Sequence, residues 1–237
     1  MDPGRRVVRR VEAGAGEPAV VLEAGLNNGA ASWQRVMPLL ARRVRVAAYD
    51  RAGIGGSAPA PGLSTIDRQI DDLASVVTGL AAGPCVLAGH SWGGILVQLL
   101  AFRRPDLAAG LVLVDPGHEE MESGLPLALR WGWRVTRAVF RDELRDDAPK
   151  TVAALRELRA VARPFPDVPV VVLSAARGFP GRFRAHWTRL QAGLAGAAPQ
   201  GRHVVVAGTG HNIPRERPDV VADAILTVVA QARPSCS

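Results

Sequence analysis

The stretch from Cys85 to Arg104, CVLAGHSWGGILVQLLAFRR, changes character twice, and its reading decides the fold. An apolar run from Cys85 to Ala88 meets the bend Gly89-His90-Ser91-Trp92-Gly93, after which an apolar segment of helical spacing runs on until Pro105 stops it. A serine raised on so sharp a passage from strand to helix takes a strained backbone. The residues two positions before and after it must then lack side chains that would clash. Gly89 and Gly93 meet that need, and Gly94 gives the helix room to approach the strand. The bend puts Ser91 at a helix N-terminus, where unpaired amides and the helix dipole favour negative charge. Ser91 is therefore a candidate nucleophile and the Trp92 amide a candidate donor to an oxyanion. The competing reading is a glycine-bracketed serine in an ordinary turn. His90 is read as packing beneath the bend.

Outward from this bend, short apolar runs alternate with longer segments of helical period, the pattern of a mostly parallel sheet covered by helices on both faces. Strands are predicted at Val7 to Glu12, Ala19 to Glu23, Val44 to Tyr49, Cys85 to Gly89, Leu111 to Val114, Pro169 to Ser174 and His203 to Ala207, most of them reading as fully buried. Helices are predicted at Ala31 to Arg42, Thr65 to Ala82, Trp92 to Arg104, Arg182 to Ala195 and Pro218 to Gln231, with Ser64 as a cap of the second. The fold class is α/β. Residues 1–115 and 167–237 read as its core domain. Residues 116–166 break the alternation with two helix-like segments and read as a helical cap or lid insertion. The first of these carries Trp131, Trp133 and Phe140, more apolar surface than a solvent-facing helix shows. Two readings stand: packing against the sheet domain, or lining of a hydrophobic substrate pocket.

Composition narrows the function classes. At 237 residues with 48% hydrophobic and 22% charged residues, the chain has the make-up of one packed α/β domain with a small insertion. The net charge of +7 comes from scattered arginine pairs, and Lys150 is the sole lysine, so the excess reads as a preference for arginine rather than as a nucleic-acid surface. Cys85 and Cys236 form neither a disulfide framework nor a metal spacing, which fits a cytoplasmic location. No apolar stretch has the length of a membrane span, and no leader pattern follows the N-terminal arginines.

With these residues in view, the chain resembles the α/β-hydrolase superfamily, and the resemblance covers almost its whole length. Val20 to Gly25 is similar to the family's first strand-and-loop motif; the resemblance makes the Leu26 amide the second oxyanion donor, beside that of Trp92. Glu23 and Ala24 stand where the family usually carries histidine. Asp50-Arg51-Ala52-Gly53-Ile54-Gly55-Gly56-Ser57 is similar to the family's D-x-x-G-x-G-x-S turn and is read as mainly structural.

Serine needs a base that takes its proton and returns it to the leaving group, and histidine suits both steps. Of His90, His118, His186, His203 and His211, only His211 follows a late apolar strand and precedes the final helix, the place where the family keeps its catalytic histidine. The acid is harder to place. Many members carry it after the strand here read as Pro169 to Ser174, yet no Asp or Glu occurs between Asp167 and Glu216. Asp115, at the end of the preceding strand, is the first candidate; it also fits a simple turn cap before Pro116. Glu119 and Glu120 come second.

The resemblance thus implies a hydrolase cleaving a carboxylic ester, lactone or thioester of a small, apolar substrate, with Ser91, Asp115 and His211 as triad. No metal or organic cofactor, nucleic acid or membrane is expected as partner, and the oligomeric state stays open between monomer and homodimer. Three alternatives stand beside this: an amide hydrolase like the proline iminopeptidases, with Glu119, Glu120 or Glu122 meeting the substrate amine; an acyltransferase or lyase; and a catalytically silent ligand-binding homologue. Arg177, Arg182 and Arg184 are candidates for attracting an anionic group.

Overall fold

A computed structural model describes residues 8–59, 65–120, 148–160, 165–178 and 181–233. Its centre is a seven-stranded sheet in the order β1-β3-β2-β4-β5-β6-β7. The strands are β1 (Arg10–Ala13), β2 (Val20–Glu23), β3 (Val46–Tyr49), β4 (Cys85–His90), β5 (Ala108–Val114), β6 (Pro169–Ala175) and β7 (Gln200–Val206). Only β1 runs antiparallel to its neighbour; every other pairing is parallel. Parallel strands need crossovers, and those crossovers cover both faces, so the inner strands are apolar without alternation.

Alternate residues of each inner strand feed two separate cores. On one face Val21, Leu87, Leu111, Leu113 and Val172 pack under α2 (Ile66–Leu80), α3 (Trp92–Arg103), α4 (Ala148–Ala160) and α5 (Gly181–Gly196). On the other, Val20, Leu22, Val86, Val112 and Leu173 pack under α1 (Met37–Leu40) and α7 (Pro218–Ala232), with α6 (Ile213–Glu216) alongside. Helix α3 is buried on every side from Trp92 to Phe102, which explains why its sequence is apolar all round rather than striped.

Three expectations need correction. The strands at the two ends of the sheet are edges rather than buried strands: β1 is mostly exposed, and β7 starts at Gln200 and is exposed or half-buried until Val206. The helix expected from Ala31 to Arg42 is a 3₁₀ turn, Ala30–Trp33, followed by the one-turn α1. Pro38 supplies the reason, since it has no amide to continue a helix through from the preceding turn. The cap of α2 is Thr65, whose hydroxyl accepts from the Arg68 amide at 3.3 Å, while Ser64 lies outside the described residues. Of the expected cap insertion, residues 121–147 and 161–164 lie outside the described residues, including Trp131, Trp133 and Phe140. Helix α4 does lie within them, and its Leu155 is fully buried in the core against the sheet domain.

The register sets up the site. Glu23 pairs with Gly89, and His90 with Val114, so β2, β4 and β5 end along one edge of the sheet. The loops that leave this edge carry Leu26, Ser91 and Asp115 toward the same rim, the usual place for a site in an open α/β sheet.

Candidate active site

Ser91 sits between β4 and α3 with φ 53° and ψ −114°, a conformation that side chains rarely adopt. Such a residue costs about 1–3 kcal/mol and persists only where its surroundings hold it. Here they do: its amide donates to the Val114 carbonyl at 3.0 Å, and its own carbonyl accepts from Gly94 and Gly117, each at 3.0 Å. The flanking glycines are a steric requirement. A Cβ on Gly89 would stand 2.3 Å from the Gly93 carbonyl oxygen, and one on Gly93 would stand 2.4 Å from that of Glu23. The Ser91 hydroxyl caps nothing in α3, and among the described residues it makes no hydrogen bond, so it is available to a ligand. Trp92 is the first residue of the helix, while its indole is buried and donates to Gln69 Oε1 at 2.9 Å.

Asp115 meets His211. Its Oδ2 lies 2.6 Å from His211 Nδ1, across 96 residues of sequence. The carboxylate is fully buried, whereas the His211 side chain is half exposed, so one end of the pair is dry and the other faces the rim. Oδ1 accepts twice more, from the Ala175 amide at 3.1 Å and from Trp187 Nε1 at 2.8 Å. Asp115 itself has φ 43°, and its amide donates to the Leu173 carbonyl at 2.7 Å, which turns the side chain off the end of β5. Since the carboxylate only accepts, Nδ1 carries the proton and Nε2 keeps a free lone pair. Glu119 lies instead beside His118, 3.5 Å from its Nδ1. Among the described residues the structure shows no hydrogen bond between the Ser91 hydroxyl and His211; such contacts commonly tighten only when substrate binds.

What joins the serine to the histidine is His90, which sequence reading assigned only to packing. Its Nε2 lies 2.8 Å from the His211 carbonyl oxygen, and the two rings stand 4.8 Å apart. A carbonyl accepts only, so Nε2 of His90 carries the proton. Burial, and then the neighbouring His211, push the His90 imidazole down from 6.5 to about 4, which keeps it neutral near pH 7. Because the folded value lies below the unfolded one, the unfolded chain binds the extra proton between those two values. Stability is therefore lost as the pH falls from 6.5 toward about 4, by on the order of 3 kcal/mol. Thermal melts across this range should show a smaller acid loss in His90→Asn than in the parent; identical slopes would exclude His90 as the titrating group. Trp187 was missed as well. A buried indole N–H needs a partner, but no pattern in α5 names Asp115 as that partner.

Among the described residues, only Arg177 of the three arginines after β6 contacts the loop that carries His211. The Arg177 amide donates to the Thr209 carbonyl at 2.8 Å, and its side chain approaches Glu216 at 3.8 Å. Arg184 reaches the Ala176 carbonyl at 3.5 Å, and Arg182 is exposed. A separate cleft of about 400 Å³ opens beside the loops carrying Leu26 and His211, with Asn28, Ser32, Arg35, Asn212 and Arg215 in its walls. Among the described residues there is no group of three or more His, Cys, Asp or Glu side chains able to hold a metal ion, and no helix long and apolar enough to cross a membrane.

Comparison with known proteins places the fold in a family. The chain is 26% identical to the uncharacterized protein YqjL of Bacillus subtilis over 218 residues, which span 91% of this chain and 85% of that one. It is 30% identical to the strigolactone esterase RMS3 of Pisum sativum over 119 residues, covering 48% of this chain and 44% of the relative, so this likeness reaches less than half of either protein. Among solved structures, a thermophilic esterase from Thermogutta terrifontis superposes with a TM-score of 0.70 at 25% identity, covering 99% of this chain and 97% of that one. A model of the alpha/beta hydrolase family matches residues 20–224. The chain therefore belongs to the alpha/beta hydrolase family, among relatives named as hydrolases.

Proposed function

We propose that this protein is a serine hydrolase that cleaves a carboxylic ester, or a lactone or thioester, of a small substrate through an acyl-enzyme on Ser91. The observation that carries the reading is the 2.6 Å bond between Asp115 and His211, set on the same sheet edge as the strained Ser91. In this mechanism His211 Nε2 takes the Ser91 proton as Oγ attacks the substrate carbonyl carbon. Charge moves to the carbonyl oxygen, where the amides of Leu26 and Trp92 receive it. The tetrahedral species collapses by expelling the alcohol, which leaves with the proton held on His211. Water then repeats the sequence on the acyl-enzyme, releasing the acid and restoring Ser91. Asp115 fixes the tautomer that leaves Nε2 free and stabilises the imidazolium while it exists.

The esterase names among the relatives support an ester, and the machinery by itself fits several acyl bonds. A fluorophosphonate probe followed by peptide mapping tests the proposal. Stoichiometric modification of Ser91, together with hydrolysis of 4-nitrophenyl esters, is expected. An unlabelled Ser91 in folded protein would overturn it in favour of a ligand-binding homologue. The same ester series reads the pocket: faster turnover of acyl groups longer than acetyl would support Trp131, Trp133 and Phe140 as an apolar wall, and a preference for acetyl would remove them from the substrate site.

A further inference from the structure

Behind the loop that carries Leu26 lies a buried charged cluster that the proposed chemistry does not use. Glu23 is fully buried at the end of β2, and Arg51, from the D-x-x-G-x-G-x-S turn, is 2% exposed. Arg51 Nη1 donates to Glu23 Oε1, and the Tyr49 hydroxyl donates to Glu23 Oε2. Burial, then the Glu23 charge, push the Tyr49 phenol well above its usual range, so it stays a donor. Removing one member of such a cluster leaves a charge unpaired in the interior, which is why a lone arginine here would be costly.

The guanidinium also reaches past Glu23. Nη1 donates to the Ala24 carbonyl at 2.8 Å, and Nη2 to the Gly25 carbonyl at 2.6 Å and to that of Asn28 at 3.4 Å. The Gly25 carbonyl accepts a further bond from the Asn28 amide at 3.1 Å. The peptide joining Gly25 to Leu26 is planar, and in a trans peptide the C=O and N–H point in opposite directions. A carbonyl drawn inward to Arg51 therefore turns the Leu26 N–H outward. Among the described residues that N–H has no acceptor. A charge-assisted bond to the oxygen also draws electron density along the amide, and hydrogen bonds linked through a peptide strengthen one another.

We infer that Arg51 is a positioning residue for the reaction: held by Glu23 and Tyr49, it aims and polarises the Leu26 amide as an oxyanion donor. The sequence places Glu23 and Ala24 where the family usually carries histidine, and the buried pair with Arg51 is how this chain steadies the loop. The inference rests on the proposed Ser91 chemistry, so its test begins from parent protein that labels at Ser91 and hydrolyses esters.

Two variants separate aiming from folding. Arg51→Lys keeps the charge beside Glu23 but loses the fork that spans Ala24 and Gly25. The double variant Glu23→Gln/Arg51→Met removes both charges together, so that neither is left unpaired in the interior, and it withdraws the donor from the Ala24 and Gly25 carbonyls. Each is measured for melting temperature, kcat, KM, and affinity for a trifluoromethyl ketone, which forms an oxyanionic adduct with the serine. Loss of a whole oxyanion donor costs roughly 10²- to 10³-fold, so a misaimed one should cost roughly 10- to 100-fold in kcat. KM should stay unchanged, and the ketone should weaken by the same factor as kcat falls. A purely structural role would lower the melting temperature without that matched loss. Folded variants with kcat and ketone affinity within about twofold of the parent would overturn the inference. So would failure of both variants to fold, which would assign the cluster to folding alone. Failure of the parent to label at Ser91 would instead sink the proposed function.

Discussion

Replacing Ser91 with alanine should reduce ester turnover by roughly 10⁶-fold while leaving the protein folded, because a catalytic serine and its base act as one unit. The hydroxyl supports no structure: it caps nothing in α3 and makes no hydrogen bond among the described residues. Alanine at φ 53° bears much the same backbone strain as serine, so the melting temperature should hardly move. The check is steady-state hydrolysis of a 4-nitrophenyl ester beside a thermal melt. If more than about 1% of turnover survived in a folded variant, another group would have to be the nucleophile.

Asp115→Asn should lower kcat by roughly 10⁴-fold, the loss seen when a comparable triad loses its carboxylate. The hydrogen bonds around the residue say why. Oδ1 already holds two donors, the Ala175 amide and Trp187 Nε1, and an asparagine oxygen will stay with them. The asparagine NH₂ must then face His211 Nδ1, which can accept only if its proton moves to Nε2. That tautomer has no lone pair for the Ser91 proton. Glu119→Gln, at a carboxylate that lies beside His118, should change turnover little. Equal and mild effects from the two variants would remove Asp115 from the mechanism.

These two residues differed in how legible they were. Ser91 is announced by its neighbours in the chain: an apolar strand, glycines two residues to either side and an apolar helix encode a local bend, and local geometry is what adjacent residues dictate. Asp115 had a competing reading as a turn cap, and only its distance to His211 separates the two. His90 and Trp187 carried no distinguishing pattern at all. Their partners, the His211 carbonyl and the Asp115 carboxylate, lie 121 and 72 residues away in sequence. Burial at the two ends of the sheet was hidden for a similar reason. Whether β1 and β7 are buried depends on which strands lie beside them, and the sheet order places both at an edge.

By itself the sequence determined the α/β class and the strand–bend–helix around Ser91, because hydrophobic period and glycine placement act over a few residues, while His211 was singled out by its place in the pattern of the family the chain resembles. The tertiary structure alone decided which carboxylate meets His211, what His90 holds, and how Arg51 reaches the carbonyls beside Leu26. Those contacts join loops that leave separate strands, and the parallel register brings the ends of those strands to one edge; no residue's neighbours in the chain carry that information.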